Sequence, residues 1–388
     1  MTAAVRVPLD RALTEVLAVT AEHAAQADAA AEFPTAALDA MRSTGLLGLM
    51  VPAEHGGWGG GVTELVDVTM RLARADMSVA LIFAMHCQQV FAIVRHARGA
   101  LRESLLTALG HGDRYLASVT TERGSGGNLL TSDSRVETTP GLLHIDRDAP
   151  IVTGGRHADG FLITTLAPNA ASPHQVSLMY AAREQLDVQV VGGWQPLGMR
   201  ATESVPMRLT GQVPDDQVVG APGSFREMAA ATFGPLAHLG WSAAWLGAAA
   251  GALSRVLHHL RSPQGRGQFD PGSELSLIRL ARIRGRLDLV HGLLRHTIQV
   301  YDTTTGPADP PSQLLMNALK VHAAEQCFAA VDELMELAGL RHGYLRSSQL
   351  FVERVFRDLR SASLNYGNDR LFLANGSLAL LDRQVHLA

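Results

Sequence analysis

Three textures follow one another along the 388 residues, and their order constrains the fold more than any single motif. Residues 1–112 read as helical: Leu13, Val16, Leu17 and Val19 recur at helix-like spacing. Phe33-Pro34 opens a second helix with the apolar set Ala37, Leu38 and Met41, and Leu46 follows beyond Gly45. Proline is tolerated there because the first turn needs no N–H from it. The glycine-rich HGGWGGG (55–61) breaks the pattern. Thr63 then reads as an N-cap with Glu64 in the first turn, and a long apolar helix is predicted over 79–94. Between residues 113 and 222 the texture changes to short apolar runs such as YLASVTT, LLHI, IVTG, FLITTL and VSLMYA. Gly, Pro, Asn and Asp punctuate them, which predicts strands of a compact antiparallel sheet domain. Residues 223–388 return to helices, expected at roughly 224–261, 274–301, 312–338 and 348–382, enough for a four-helix bundle. The expected fold class is mainly α with a middle β-barrel or sheet domain.

Composition removes whole classes of function. With 47% hydrophobic and 18% charged residues, the chain is too apolar for a disordered protein. At about 150 residues per domain its length suggests two to three domains. Aromatics make up 5%, so the core must be mostly aliphatic. Cys87 and Cys327 form neither a disulfide framework nor a metal spacing, and suit a reducing cytosol. A net charge of −4 argues against a nucleic-acid partner. The N-terminal MTAAVRVPLDRAL lacks the apolar stretch of a secretory signal, and no window reaches 18 consecutive apolar residues. The richest run, Ala243 to Leu253, is too short to span a bilayer. A cytoplasmic protein with no membrane partner is therefore expected. Of 33 basic residues only Lys320 is a lysine. That excess of arginine reads as codon bias, with phosphate or carboxylate recognition as the sharper alternative.

Common enzyme signatures are absent: GxxxxGK[ST], HExxH and GxSxG do not occur. The GGWGGG loop has the composition of a phosphate cradle, but no Lys or Ser/Thr follows at P-loop spacing, so a tight surface turn is the simpler reading. Sixteen histidines are scattered, and the adjacent His258 and His259 point to different sides of a helix rather than to one metal. No metal site is expected.

Six local motifs, in order, fit one known architecture. They are FPTAALDAMRSTGLLGLMVPAEHGGWGG, SVTTERGSGGN, IVTGGRHADGFLI, GWQPLGMRATES with Val213-Pro214, RGQF at 266–269, and RVFRDLRSASLNYGNDRL. Together they resemble the acyl-CoA dehydrogenase superfamily of flavoproteins over nearly the whole chain. The resemblance implies FAD, with its reactive ring in a dry cleft against a bound acyl thioester on CoA or a carrier protein. It implies flavin contacts from Thr121 and Thr153, and close backbone approach at Gly126 and Gly127 in the turn 124–127. Ile151 stands where the family has the tryptophan that flanks the flavin. Arg266 and Phe269 would reach the FAD of a neighbouring subunit, where a guanidinium forks onto pyrophosphate. Gly339 would lie near the same dinucleotide, and Asn368 and Arg370 would make further contacts. A homotetramer or homodimer follows, with an electron-transfer flavoprotein or a flavin reductase as redox partner.

The sequence departs from that pattern where the chemistry sits. In most members a glutamate removes the α proton of the thioester. Tyr366 occupies its position, and Ala237 occupies the alternative position on the first bundle helix. A phenol, ordinarily protonated at neutral pH, is a poor base. His238 and Asp369 are sequence neighbours of these positions, but a helix neighbour points about 100° away. Arg123 replaces the proline of the first signature, and Gly127-Asn128 replaces its ser-asp end. Three readings follow. The first is α,β-dehydrogenation of an acyl thioester with another base. The second is a flavin monooxygenase of the same fold that hydroxylates carbon or nitrogen in specialised metabolism, using FAD or FMN and needing no α-proton base. His86, in FAMHCQQ, would face the flavin pocket in that case, with a packed helix histidine as the alternative. The third is a non-catalytic subunit.

Overall fold

The computed structural model describes residues 8–122, 128–266, 270, 272–304 and 308–388, with the backbone alone of Arg266. Helices α1 (Leu9–Ala30), α2 (Thr35–Ser43), α3 (Val62–Ala75), α4 (Met77–His96) and α5 (Gly99–Gly110) come first. Leu13 and Val16 of α1 and Leu38 and Met41 of α2 turn into the core, as their spacing predicts. The cap of α3 is Gly61 rather than Thr63. Glu64 reaches back and accepts the Gly61 N–H at 2.8 Å, so the helix already begins at Val62. The preceding glycine loop is a packed turn. A Cβ on Gly57 would lie 1.9 Å from the Val51 carbonyl oxygen, and the Trp58 indole N–H donates to the Gly45 carbonyl at 2.7 Å. By length and composition α4 is apolar enough to cross a bilayer, yet 83% of its apolar window is buried inside the protein, as in a core helix.

Strands follow: β1 (Leu116–Val119), β2 (Glu137–Thr139), β3 (Leu142–Val152), β4 (Gly160–Leu166), β5 (Val176–Ala182), β6 (Leu186–Val190), β7 (Val205–Pro214) and β8 (Val218–Val219). They form two four-stranded sheets, β1-β4-β5-β8 and β2-β3-β7-β6, and no closed barrel among the described residues. The first is mixed, since β1 and β4 run parallel; the second is antiparallel throughout. Register between β3 and β7 slips between Ala149 and Val152. Pro150 lies inside that slip and has no N–H for the ladder, so the strand bulges there.

The rest is helical: α6 (Phe225–Met228), α7 (Gly234–Arg261), α8 (Pro263–Arg266), α9 (Glu274–Thr303), α10 (Pro310–Gly339), α11 (Val352–Leu359) and α12 (Asn368–Ala379). α10 starts on Asp309, whose carboxylate accepts the Ser312 N–H at 2.9 Å, followed by two prolines in the first turn. The helix expected over 348–382 is broken into α11 and α12. The Ser361 hydroxyl bonds back to the Asp358 carbonyl, and Tyr366 has φ +49°, which no helix accommodates. α10 packs on α9, α11 and α12.

These elements divide into two compact units. Unit 1 holds residues 1–65, 82–195 and 201–237; unit 2 holds 66–81, 196–200 and 238–388.

Candidate functional site

In unit 1 the β3 bulge brings three of the expected flavin contacts together. It turns Ile151 out of the ladder, leaving it 48% exposed. The Thr121 hydroxyl donates to the Ile151 carbonyl at 3.1 Å. Two residues on, the Thr153 hydroxyl lies 2.9 Å from that of buried Ser204, which meets the Thr202 hydroxyl at 2.8 Å. An outward apolar side chain flanked by two threonine hydroxyls is a fitting seat for a planar, partly polar ring, and these residues therefore suit a flavin. Gly126, Gly127 and Phe269 lie outside the described residues, as does the Arg266 side chain.

Beneath this seat Glu122 ties down the loop that carries Thr121. Its carboxylate accepts from the Ser132 hydroxyl (2.6 Å) and from the backbone N–H groups of Asp133 (3.0 Å) and Ser134 (3.2 Å), and it pairs with Arg147. Arg147 is 1% exposed and donates to the Thr121 carbonyl at 3.1 Å. Burial pulls its guanidinium down to about 10, still charged at neutral pH. The sequence reading missed this pair. Its signal was an arginine at an inward position of a strand, between the buried Ile145 and Ala149.

His86 does not serve a pocket. The Leu116 N–H donates to its Nδ1 at 3.0 Å, which leaves Nε2 as the protonated nitrogen donating to the Leu47 carbonyl at 2.9 Å. Both ring nitrogens are used by backbone, the residue is fully buried, and burial lowers its pKa to about 4. The packed-histidine alternative describes it.

Unit 2 gathers a second cluster around Tyr366, which is 37% exposed. Its ring centroid lies 6.2 Å from that of His238 on α7; His238 is followed by Trp241 at 6.1 Å, and Trp241 by Trp245 at 6.4 Å. Burial lowers the His238 pKa to about 4, reinforced by the Lys320 charge and opposed by a hydrogen bond to the Met316 carbonyl. Lys320 on α10 is wholly buried and donates to the Tyr366 carbonyl at 3.2 Å and to Asn368 Oδ1 at 2.8 Å. Burial brings its ammonium down to about 8, against the raising effect of Glu325. On the same face of α7, His238 Nδ1, Ser242 Oγ and Trp245 Nε1 are buried without hydrogen-bond partners.

Of the other expected FAD contacts, Asn368 is buried and bonded to α10. Its Oδ1 takes the Lys320 ammonium and its Nδ2 donates to Glu325 Oε1 at 3.4 Å. Gly339 ends α10 with φ +66° and open space where a Cβ would stand, so backbone approach is unobstructed there. Arg370 is exposed on α12. Lys320 was visible in the sequence only as an exception to the arginine bias.

Comparison with known proteins identifies the family and the fold. Residues 10–113 match the family model "Acyl-CoA dehydrogenase, N-terminal domain", and residues 239–368 match "Acyl-CoA dehydrogenase, C-terminal domain". Among curated relatives, dibenzothiophene monooxygenase of Rhodococcus erythropolis is 27% identical over 62% of this chain; the match takes in only 59% of that relative's length. The probable acyl-CoA dehydrogenase FadE25 of Mycobacterium tuberculosis is 23% identical over 93% of this chain and 91% of its own. Among solved structures, TdsC from Paenibacillus sp. A11-2 with FMN and indole superposes with a TM-score of 0.80 at 22% identity, over 96% of this chain and 97% of that one. At that identity the likeness speaks for the fold.

Proposed function

The chain belongs to the acyl-CoA dehydrogenase family of flavin-dependent oxidoreductases, and within that family we propose that it works as a monooxygenase, using reduced flavin and O2 to hydroxylate a small molecule. The observation that carries this reading is what stands at the two family base positions. They hold Tyr366 and Ala237, and the neighbouring His238 is kept neutral, with a pKa near 4 that makes it a weak base. Abstraction of an α proton is poorly served by such a set, whereas hydroxylation does not require it. The resemblance to dibenzothiophene monooxygenase supports the same choice.

When bound, the reduced flavin would supply two electrons to O2, one oxygen atom going to substrate and the other leaving as water. Ile151 would seat the ring, with the Thr121 and Thr153 hydroxyls at its polar edge. Glu122 and Arg147 would keep that edge rigid; the Thr121 hydroxyl, whose proton goes to the Ile151 carbonyl, is left there as an acceptor. FMN is the proposed flavin, by analogy with FMN-bound TdsC, with FAD as the alternative. A flavin reductase is the proposed partner, and assembly as a homotetramer or homodimer is proposed from the family. Cys87 and Cys327 are both free thiols, which supports the proposed cytoplasmic location.

The test is a matched pair of assays on the purified protein. Supplied with a flavin reductase, NADH, FMN and O2, it should convert an aromatic or amine substrate to a product heavier by one oxygen. Anaerobic bleaching of bound flavin by an acyl thioester, with no oxygenated product in the first assay, would instead establish dehydrogenation.

A further inference from the structure

Lys320 is the one lysine among 33 basic residues, and it is wholly buried. An ammonium taken out of water must be met by hydrogen-bond acceptors. Its two acceptors here are neutral and flank Gly367: the Tyr366 carbonyl at 3.2 Å and Asn368 Oδ1 at 2.8 Å. Its Nζ also lies 5.6 Å from the centre of the Trp245 ring. Tyr366 has φ +49°, a region that disfavours any residue with a Cβ, so something must hold the turn there. Lys320 bonds the carbonyl of that strained residue and the first residue of α12 together. Asn368 in turn is braced by Glu325 at 3.4 Å. The residue so held is the one at the family's base position, with its ring 6.2 Å from His238.

We propose that Lys320 is the positioning residue of this site: its ammonium clamps the Tyr366 carbonyl and the Asn368 amide and thereby fixes how the Tyr366 ring is presented beside His238. The proposal rests on the flavoenzyme reading above but names a residue that this reading does not require. The clamp depends on charge. On losing its proton the amine keeps two N–H donors for its two acceptors, but both hydrogen bonds lose their charge assistance and the clamp weakens. Among the described residues, the titratable groups around the ammonium are His238 on α7, Glu325 on α10 and Tyr366 itself. His238, at about 4, stays neutral across the alkaline range and cannot produce a change near pH 8. Lys320, at about 8, loses its proton there.

The experiment compares wild type, Lys320→Arg and Lys320→Met in two readouts. The first is the pH profile of the reductase-coupled reaction. Wild-type kcat should fall above pH 8, and in Lys320→Arg that limb should move up by at least about one pH unit, since a guanidinium keeps its charge. Lys320→Met should lose roughly 30-fold in kcat with KM within about threefold, because the group acts through placement rather than contact. An unshifted limb in Lys320→Arg, or wild-type kcat in Lys320→Met, overturns the proposal. Where Lys320→Met does not fold, the limb of Lys320→Arg decides alone. The second readout needs neither flavin nor turnover. Tryptophan emission of the protein alone should titrate near pH 8 in wild type and not in Lys320→Arg, because the ammonium lies over Trp245. A missing transition in wild type refutes the clamp. A transition without any flavin turnover refutes the flavoenzyme reading and leaves the clamp standing.

Discussion

His86 allows a pH experiment whose size can be worked from the structure. In the native protein its imidazole is held neutral by burial, with a pKa near 4, against an ordinary 6.5 in the unfolded chain. The folded value is depressed, so the unfolded chain takes up a proton that the native protein refuses. The associated stability is therefore fully present above about pH 6.5 and is lost as the pH falls toward 4. The gap between 6.5 and 4, at about 1.4 kcal/mol per unit, corresponds to about 3 kcal/mol, most of it already lost at pH 4.5. Against a typical total of roughly 5–15 kcal/mol this is a large share. His86→Gln supplies the control: an amide carries one donor and one acceptor for the Leu47 carbonyl and the Leu116 N–H, and does not titrate. Urea unfolding followed by circular dichroism at pH 7 and pH 4.5 gives the stability of each protein at each pH. Carboxylates and the other histidines contribute equally to both and cancel in the comparison. Wild type should lose about 2–3 kcal/mol more than His86→Gln on acidification. An equal loss would mean that His86 already carries a proton in the native state, and the hydrogen bond from the Leu116 N–H to its Nδ1 would be wrong.

Three further outcomes follow from the two clusters. Glu122→Gln should destabilise by about 3–5 kcal/mol, because Arg147 would be left as a buried cation without its counter-charge; thermal unfolding reads this directly. Ile151→Asp should weaken flavin binding at least about tenfold in a fluorescence titration while leaving the melting temperature nearly unchanged, since the side chain is half exposed. Tyr366→Phe should keep turnover within about threefold, because the phenol is a wall of the site; a loss of several orders of magnitude would make it a proton-transfer group instead.

What could be read from the sequence was whatever depends on local periodicity. The long helices and the run of short strands emerged because apolar spacing of 3.6 or 2 is imposed by the backbone itself. The bulge at Ile151 was not readable in the same way: Pro150 hints at it, but the slip exists only relative to β7, some fifty residues further along. The break at 360–367 carries turn-forming Ser363, Asn365 and Gly367, but the left-handed residue that decides it, Tyr366, is of a type with no preference for that conformation. Thr121, Ile151 and Thr153 were found through resemblance and do come together. Asn368 was found the same way, and its amide meets Lys320 and Glu325, contacts that require α10 to be folded beside it. Glu122, Arg147 and Lys320 act through partners far away in the chain, so no window of sequence contains their roles.

The two clusters differ in how their buried charges are met, and that difference bears on where the chemistry lies. Around Glu122 the charges are met: the carboxylate has three hydrogen-bond donors and an arginine pair, although Arg147 Nε is itself buried without a partner. Such a network is rigid and can be explained by stability and by the need to hold a loop. Around Lys320 the rules of stable packing are broken together. A cation is buried without a carboxylate in contact, a tyrosine sits in a left-handed conformation, and His238 Nδ1, Ser242 Oγ and Trp245 Nε1 have no partners. Each buried unpaired group costs about 1–3 kcal/mol, and an apolar substitute of similar shape would remove that cost. A chain shaped by stability alone would not collect these features on one helix face and the turn beside it. Local conflicts of this kind are expected where function sets the residue. On that ground, the specificity of the reaction should respond most to substitutions at positions 238, 242, 245, 320 and 366, and flavin retention most to those at 121, 151 and 153.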